Sequence, residues 1–377
     1  MMTGQPIRVM LVDDSALIRQ IVTDQLSEQP DLLIVGRARD GEDALAQVDR
    51  LQPDVIVLDV EMPRLNGLET LRRLLPDRPI PVVMFSSLTQ AGAKTTLDAI
   101  DLGAMECVGK PTTLSNVASV CGELANKIRA VAGCNVAAAI KRRKFVARAS
   151  RTVIGEGTAP SKRTALCIPH STPGVTDAFC RDKVIAVGIS TGGPPALAAI
   201  FQALAVPSPP IVIVQHMPPG FTRSFAERLD RLGKIAVKEA ATGDRLVPNT
   251  AFVAPGGRHV RVVGRRPGDA TLEVFDAEPV SSHRPSVDVM MNSVAEVYGS
   301  NAVGVIMTGM GRDGVAGCGA IKQAGGITIG QDEESSDVYG MNKIAWRDGM
   351  LDSQFSLETA PCAWFEALRR LGHVQPV

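Results

Sequence analysis

Runs of apolar residues alternate with amphipathic stretches along the first third of the chain. The apolar runs are short and rich in Val, Ile and Leu, as in buried strands: IRVMLV, LLIVGRA, DVIVLDV, PVVMFSS and MECVGK. Apolar residues at helical spacing follow Ser15, Gly41, Gly67, Gly92 and Thr113. This alternation predicts a doubly wound, five-stranded α/β domain with helices on both faces of a parallel sheet.

A second series of strand-like runs begins near residue 183. Its members are KVIAVGIS, PIVIVQH, KIAVKEA, TAFVAPG, HVRVVG, TLEVFD, AVGVIMTG and GITIGQD. Amphipathic helical stretches such as TRSFAERLDRL separate several of them. They predict a second α/β domain with a largely parallel, Rossmann-like sheet, and VRVVGRRPGDATLEVF predicts a β-hairpin inserted into it.

The stretch between the two series follows neither periodicity. Residues 129–181 are rich in Ala, Ser, Thr, Pro and Gly, which is typical of a linker. We therefore expect two domains, residues 7–128 and residues 182–373, joined by this linker. Its basic run Lys141–Arg148 is interpreted as solvated charge, although such a run can also contact an acidic partner or nucleic acid.

Composition narrows the class of protein. The chain has 377 residues, and 40 Lys and Arg balance 40 Asp and Glu, so no net positive field indicates nucleic-acid binding. Seven cysteines include no C-x-x-C pair, which disfavours a zinc or redox site, and an odd number fits a disulfide framework poorly. Neither a signal segment nor a long apolar span is visible. We therefore expect a protein of the reducing cytoplasm.

Carboxylates stand at the ends of two strands of the first domain. Asp13 and Asp14 follow the first strand, and Asp59 ends the third. Taken singly, each acid could equally cap a helix or lie in a surface loop. Together at one edge of the sheet, their hard oxygens suit Mg²⁺. With Ser86 and Lys110 ending the fourth and fifth strands, they predict phosphoryl transfer to an aspartate.

These residues stand in the segments VDDS, VLDVEMPRLNGLE, VVMFSS and VGKP, in an order and spacing that resembles response-regulator receiver domains. Such domains are flavodoxin-like. The resemblance implies that a chemotaxis histidine kinase phosphorylates Asp59, and that Mg²⁺ binds Asp13, Asp14 and Asp59. It also implies that Ser86 and Lys110 contact the phosphoryl group.

The second domain has a serine between its first strand and the next helix. Ser190 lies in GISTGG, which fits the G-x-S-x-G pattern of a nucleophile elbow. A glycine-rich turn can also hold a phosphate on backbone N–H groups, and the short motif alone does not decide between the two. However, the loop lacks the G-K-[ST] ending of a P-loop, and IVIVQH ends in histidine where a ribose-binding acid would be expected.

A histidine and an aspartate follow two other strands of this domain. His216 comes after IVIVQ, and Asp313 follows VGVIMTGMGR. At the carboxyl ends of one open sheet, an imidazole can take the proton of Ser190 while a carboxylate orients that imidazole. His259 and His283 remain as alternative bases. Backbone N–H groups after Ser190 or in the TGMG turn could stabilise an oxyanion.

The segments GISTGG, QHMPPGFTRSFAERLD, VAPGGRH, SSHRPSVDVMM and IMTGMGRDGVAG resemble, in this order, the catalytic domain of the chemotaxis protein-glutamate methylesterases, which are also glutamine deamidases. The resemblance implies a triad of Ser190, His216 and Asp313 that needs no cofactor. It implies an oxyanion region that includes Thr191 and Met310. Two positions depart from the family pattern, namely Ile189 before the serine and Arg312 before the aspartate.

The resemblance also implies a place in sensory adaptation. The expected substrates are methyl-accepting chemotaxis receptors, whose glutamate methyl esters are hydrolysed to release methanol and whose glutamines are deamidated. The enzyme would work at the periphery of receptor arrays without inserting into the membrane or binding nucleic acid. The unphosphorylated receiver is expected to cover the active site, and phosphorylation of Asp59 to relieve this inhibition.

Two other functions are considered from the residues themselves. The second domain could be a phosphate- or nucleotide-binding module, in which the serine hydroxyl would not be activated. Alternatively, the chain could be a phosphorylation-dependent adaptor or transcriptional regulator that uses its basic run. The second domain offers neither a helix-turn-helix pattern nor a concentrated basic face for that role.

Overall fold

The computed structural model describes residues 5–87, 89–142 and 175–371. Residue contacts divide the chain after Arg142 into two compact units, each with its own parallel sheet. The first unit extends beyond residue 128 and includes a helical stretch at residues 136–142. Apart from its first two residues, the basic run Lys141–Arg148 lies outside the described residues.

The first unit contains five strands, β1 Ile7–Val12, β2 Leu32–Ala38, β3 Val55–Asp59, β4 Val82–Ser86 and β5 Glu106–Gly109. Five helices alternate with them, α1 Ala16–Ser27, α2 Gly41–Leu51, α3 Gly67–Leu74, α4 Gln90–Leu102 and α5 Val117–Val131. The strands are parallel and ordered β2-β1-β3-β4-β5. The predicted doubly wound, flavodoxin-like domain is therefore confirmed.

Side-chain caps fix where the loops of this unit turn into helices. The hydroxyl of Ser15 accepts a hydrogen bond from the N–H of Ile18 at 3.3 Å, so Ser15 is the N-cap of α1 and Asp14 is not. Asp40 and Asn66 cap α2 and α3 in the same way. Asp14 is thus left with its carboxylate available at the carboxyl edge of the sheet.

The second unit has a seven-stranded sheet made of β6 Val184–Ile189, β7 Ile211–Gln215, β8 Ala236–Glu239, β9 Thr250–Val253, β12 Ala302–Ile306, β13 Ile327–Gln331 and β14 Ser353–Phe355. A separate hairpin consists of β10 His259–Val263 and β11 Thr271–Phe275. The helices are α6 Asp177–Arg181, α7 Gly193–Ala203, α8 Phe221–Asp230, α9 Val287–Tyr298, α10 Val315–Gln323, α11 Met341–Arg347 and α12 Ala360–Leu371.

The large sheet is parallel throughout, as expected, and the predicted hairpin is confirmed as an antiparallel pair. The hairpin packs on α9, where the N–H of Val262 donates to the hydroxyl of Ser293 at 2.9 Å. Val260 and Met290 belong to the same buried cluster. Strand β14 was not expected from the sequence, because SQF is three residues long and carries no apolar run.

The strand order β14-β13-β12-β6-β7-β9-β8 places β6 at the centre of the sheet. From β6 the chain first builds one side of the sheet through β7, and later the other side through β12. In open parallel sheets the crevice at such a reversal, at the carboxyl ends of the strands, is the usual binding site. The loops after β6, β7 and β12 all open at this edge.

Five described cysteines have free thiols, namely Cys107, Cys121, Cys134, Cys180 and Cys318. Cys362 is disulfide-bonded, which the odd cysteine count gave no reason to expect. Within the described residues, no helix combines the length and the apolar character that crossing a membrane would require.

Candidate active site and phosphorylation site

The acids predicted from the first domain meet at the carboxyl edge of its sheet. Asp13 and Asp59 are buried, and the Nζ of Lys110 lies 2.7 Å from a carboxylate oxygen of each. Asp14 is exposed beside them. Ser86 is buried at the end of β4, the strand between those that carry Asp59 and Lys110. The structure therefore brings the five predicted residues to one place.

Asp59 is held in an environment that opposes its charge. Burial raises the pKa of its carboxyl to about 6, against the hydrogen bond and charge of Lys110, while the charge of Asp13 adds to the rise. Burial likewise disfavours the charged ammonium of Lys110, but its hydrogen bonds and ion pairs with both aspartates outweigh this and raise its pKa. Burial therefore outweighs the stabilisation that Lys110 gives to the ionised form of Asp59.

The oxygens at this edge fit a hard cation. One carboxylate oxygen each from Asp13, Asp14 and Asp59 lies within 4.8 Å of the others. Carboxylates that keep room for water are the ligands Mg²⁺ prefers. A cavity of about 560 Å³ opens beside them, lined by Asp14, Val60, Glu61, Met62, Pro63, Asn66, Leu68 and Thr95. The donor set and the surplus of negative charge both suit a divalent ion.

In the second unit, Ser190, His216 and Asp313 each follow one of three neighbouring strands, β6, β7 and β12. Ile189 is paired in register with Gln215, so Ser190 and His216 continue that pairing beyond the strand ends. Nε2 of His216 lies 2.8 Å from Oδ2 of Asp313. All three predicted triad residues are buried at this edge of the sheet.

The hydrogen bond to Asp313 defines the proton positions on His216. A carboxylate can only accept, so Nε2 carries a proton, and in the neutral ring the lone pair is therefore on Nδ1. Among the described residues, Nδ1 of His216 has no hydrogen-bond partner although it is buried. A buried, unpaired lone pair on the imidazole is the feature that a general base requires.

Asp313 lies against the N-terminus of α9, a feature that the sequence analysis missed. Its oxygens accept hydrogen bonds from the Ser286 hydroxyl at 2.7 Å and from the N–H groups of Val287 at 2.7 Å and Asp288 at 3.0 Å. Burial opposes the charge of this carboxyl, but the hydrogen bond from His216, together with those from the Asp288 N–H and the Ser286 hydroxyl, lowers its pKa. The only feature of the sequence that pointed to this helix N-terminus was the capping pattern in RPSVD.

Asp288 connects α9 to the loop that carries Asp313. Its Oδ1 accepts from the N–H of Gly314 at 2.9 Å and of Gly317 at 2.8 Å. Burial raises the pKa of Asp288, and the nearby charge of Asp313 raises it further. Asp288 thus fixes the position of the Asp313 loop at the cost of placing two carboxylates near one another.

Gln215 ties the serine and histidine loops together. Its Nε2 donates to the carbonyl of Ser190 at 3.0 Å and to that of His216 at 3.2 Å. The side chain is buried, and Gly193 has no room for a Cβ, which would lie 2.0 Å from Oε1 of Gln215. A glycine at the start of α7 is therefore required for the glutamine to reach both loops.

The structure gives different contacts to His259 and His283, the two other histidines considered as bases. His259 is fully buried, its Nε2 lies 3.0 Å from the carbonyl of Glu278, and its Nδ1 accepts from the N–H of Ser286 at 3.3 Å. Because both of its ring nitrogens are used in these hydrogen bonds, His259 holds the segment that precedes α9 and has no free lone pair with which to act as a base. His283 stacks on His216, with ring centroids 3.8 Å apart and planes at 11°.

The expected oxyanion region surrounds Ser190. The carbonyl of Thr191 accepts from the Thr308 hydroxyl at 2.8 Å, and the N–H of Ser190 donates to the carbonyl of Thr308 at 2.9 Å. The N–H of Met310 has no acceptor within the described part of the chain. The TGMG turn is thus joined to the serine loop, with Met310 free to donate.

Two positions had departed from the expected pattern. Ile189 is fully buried, and a Cβ on Gly193 would lie 2.9 Å from its Cγ1, so its side chain packs beside α7. Arg312 is exposed and pairs with Asp348 at 3.2 Å. Its charge is therefore partly balanced by a carboxylate other than that of Asp313.

Comparisons with known proteins agree with this arrangement. A family model described as CheB methylesterase matches residues 185–362, and one described as response regulator receiver domain matches residues 9–121. A protein-glutamate methylesterase/protein-glutamine glutaminase of Syntrophotalea carbinolica is 44% identical over 94% of this chain and 95% of its own length. One of Chromohalobacter salexigens is 42% identical over 100% of both chains.

A solved structure, the methylesterase catalytic domain of Thermotoga maritima CheB, is 38% identical and covers 49% of this chain and 97% of its own, with a TM-score of 0.47. The two curated relatives match this chain almost from end to end. The chain therefore belongs to the protein-glutamate methylesterase/protein-glutamine glutaminase family of response-regulator enzymes.

Proposed function

We propose that this chain hydrolyses glutamate methyl esters of methyl-accepting chemotaxis receptors and deamidates receptor glutamines, under the control of phosphorylation at Asp59. The observation that carries the proposal is the buried His216–Asp313 pair, which leaves the Nδ1 lone pair of His216 unpartnered beside the strand that presents Ser190. We assign regulation to the first unit, which contains residues 7–128 and continues to Arg142, and catalysis to residues 182–373 of the second unit.

In the first half-reaction, the Ser190 hydroxyl attacks the γ-carbonyl carbon of the methylated glutamate. His216 Nδ1 takes the hydroxyl proton, and the carboxylate of Asp313 orients the imidazolium and stabilises its charge. The tetrahedral intermediate expels methoxide, which leaves as methanol after taking the proton from His216. The product is an ester between Ser190 and the receptor side chain.

Water completes the cycle. His216 takes a proton from a water molecule that attacks the acyl carbon, and this proton is then given to the Ser190 oxygen as the carboxylic acid product leaves and loses its own proton to solvent. A glutamine substrate follows the same steps and releases ammonia, since an ester and an amide are both acyl derivatives of one carboxyl group. The esterase reaction needs no cofactor.

We assign oxyanion stabilisation to backbone N–H groups of the serine loop and the TGMG turn, at Thr191 and Met310. The hydrogen bonds between Thr308 and the serine loop support this assignment because they hold the two loops together. Donors that are fixed before reaction stabilise the developing charge without reorganising. Removing one such donor typically costs about 100-fold to 1,000-fold in kcat.

In the first domain, we propose that Asp59 accepts a phosphoryl group from a chemotaxis histidine kinase. Asp13, Asp14 and Asp59 would hold Mg²⁺, which when bound supplies positive charge against the phosphoryl oxygens. Lys110, with Nζ 2.7 Å from Asp59, and the hydroxyl of Ser86 would contact the phosphoryl group.

Phosphorylation can activate the esterase only by stabilising its active state over its inactive state. We place this activity in the cytoplasm, at the periphery of receptor arrays, where receptor segments are available as substrate. We propose that the unphosphorylated receiver keeps the esterase in its inactive state.

The test is methanol release from methylated receptor membranes, measured with and without a small-molecule phosphodonor. We expect the phosphodonor to increase the rate in the wild-type chain and not in an Asp59→Asn variant. The Ser190→Ala variant should still take up phosphate at Asp59 but release no methanol. Methanol release by Ser190→Ala at the wild-type rate would refute the proposed mechanism.

A further inference from the structure

The imidazole of His283 stacks on that of His216 in a nearly parallel arrangement. The ring centroids are 3.8 Å apart and the planes differ by 11°. The stack therefore covers one face of the proposed base, and His283 takes no part in the steps described above.

The chain builds this stack with a tight and unusual turn. Val280 and His283 exchange two backbone hydrogen bonds of 3.1 and 2.9 Å around Ser281 and Ser282. Both serines have left-handed backbone angles, with φ of 51° and 65°, a conformation that residues other than glycine seldom adopt. Non-glycine residues held in this region cluster at active sites and ligand-binding sites.

The ring of His283 is itself anchored. Its Nδ1 lies 2.6 Å from the carbonyl of Ser281. Because a carbonyl can only accept, Nδ1 carries a proton and donates it. Three residues further on, Ser286 begins α9 and holds Asp313. One segment therefore positions both the acid that orients His216 and the ring that covers it.

His216 needs such a constraint. Among the described residues its ring has one hydrogen-bond partner, Asp313, which fixes Nε2 and leaves Nδ1 unheld. The torsion between a histidine ring and its Cβ has broad minima, so one hydrogen bond does not define the ring plane. A parallel ring at 3.8 Å restricts that torsion, because rotation of His216 would drive its edge into His283.

We propose that His283 is a positioning residue for the base: its ring restricts the plane of His216, so that the orientation of Nδ1 is defined when it takes the proton of the Ser190 hydroxyl. This inference deepens the proposed hydrolase function and rests on it. It names a fourth side chain that the reaction requires, although His283 exchanges no proton with the substrate.

A metal site is the alternative reading of the same side chains, since one atom each from His216, His283 and Asp313 lies within 4.8 Å of the others. Imidazole and carboxylate are ligands that Zn²⁺ accepts. The lone pairs of an imidazole lie in its ring plane, however, so those of two parallel rings run side by side and do not converge on one ion. The stacked geometry favours positioning.

The test compares full-length variants in the methanol-release assay with a phosphodonor present. His283→Phe keeps a flat ring, His283→Leu fills the space without one, and His283→Gln keeps polarity without a ring. We expect Leu and Gln each to lower kcat at least about tenfold with KM within about twofold, and Phe to retain kcat within about threefold. Ser282→Gly, which keeps the left-handed turn and both imidazoles, is the matched control.

Thermal melts identify any variant that fails to fold, and the second ringless variant then takes its place. Wild-type kcat in a folded ringless variant would overturn the proposal, as would a Phe variant as impaired as the Leu variant. Retention of kcat in His283→Phe, together with its decrease in His283→Leu and His283→Gln, would support the proposal. If the wild-type chain itself releases no methanol, the proposed function fails, and that result is distinct from failure of the His283 inference.

Discussion

The hydroxyl of Ser286 donates a hydrogen bond to Oδ1 of Asp313 at 2.7 Å, and both residues are fully buried. Ser286 is also the N-cap of α9, where its hydroxyl accepts from the N–H of Val289. The residue that begins the helix therefore also holds the proposed catalytic acid. The N-terminus of a helix is a favourable place for a carboxylate, because its free N–H groups and dipole both attract negative charge.

We expect Ser286→Ala to weaken both functions of this residue. Loss of the cap should lower the free energy of unfolding by about 1 kcal/mol. Loss of one donor to Asp313 should lower kcat about tenfold and leave KM nearly unchanged, since Asp313 does not bind the substrate. Urea unfolding and steady-state methanol release measure the two effects. Ser286→Thr retains the hydroxyl and should behave like the wild type; equal loss in both variants would contradict this role.

A pair of substitutions at Asp288 separates its hydrogen bonds from its charge. Asp288→Asn keeps an oxygen that can accept from Gly314 and Gly317 and removes a charge that burial disfavours. Because the pKa of Asp288 is raised in the folded state, its ionised form is destabilising at neutral pH, and Asn should unfold at an equal or higher urea concentration. Asp288→Ala leaves two buried N–H groups without an acceptor and should cost about 2–4 kcal/mol. A larger decrease in the free energy of unfolding for Asp288→Asn than for Asp288→Ala would contradict this account of Asp288.

Gly309 should tolerate no side chain, because a Cβ there would lie 2.6 Å from the Cβ of Ser190. Even if the Met341 sulfur, which would also lie 2.6 Å from that Cβ, gives way, Gly309→Ala must displace Ser190, and a displacement of about 1 Å can cost on the order of 100-fold in rate. We expect kcat to fall by that order in the methanol-release assay. Gly122→Ala, where a Cβ meets nothing within 4 Å, serves as the control. Wild-type kcat in Gly309→Ala would show that Ser190 has more freedom than this packing allows.

Asp59→Asn should stabilise the metal-free first domain. The pKa of Asp59 is raised to about 6 in the folded state, so the folded state favours the protonated carboxyl. The free energy of unfolding is therefore higher at low pH, and it falls as the pH rises through about 6 and Asp59 ionises. A neutral side chain removes this penalty at pH 7.5, and we expect a gain of about 1–3 kcal/mol in urea unfolding with EDTA present. Added Mg²⁺ should stabilise the wild type more than the variant. An unstabilised variant, or an equal response to Mg²⁺, would count against the proposed site.

The sequence predicted the elements that periodicity and motif spacing encode. The strands of both units follow from apolar runs of sufficient length, and Ser190, His216 and Asp313 could be named because each follows such a run. Strand β14 was missed because its three residues lie at the sheet edge and carry no pattern. Pairing at an edge is decided by the neighbouring strand and not by local composition.

The supporting contacts were not predictable in the same way. That Asp313 would lie on the N-terminus of α9 depends on how a helix from one part of the chain packs against a loop from another. The stack of His283 on His216 depends on two serines with left-handed backbone angles, for which SSHRP contains no glycine signal. From the residues alone, His259 and His283 remained alternative bases to His216, and only the family resemblance selected His216 before the hydrogen-bond partners of the three rings were known.

The most direct test of the proposed nucleophile is covalent labelling with an alkyl fluorophosphonate, followed by peptide mapping. Such a probe phosphonylates a serine hydroxyl whose proton a neighbouring base removes, whereas a phosphate-binding loop holds no activated hydroxyl. We predict that the wild-type chain is labelled at Ser190, and that His216→Ala slows this labelling by at least about 100-fold. Labelling of His216→Ala at the wild-type rate, or no label on Ser190 in a chain that releases methanol, would contradict the proposal.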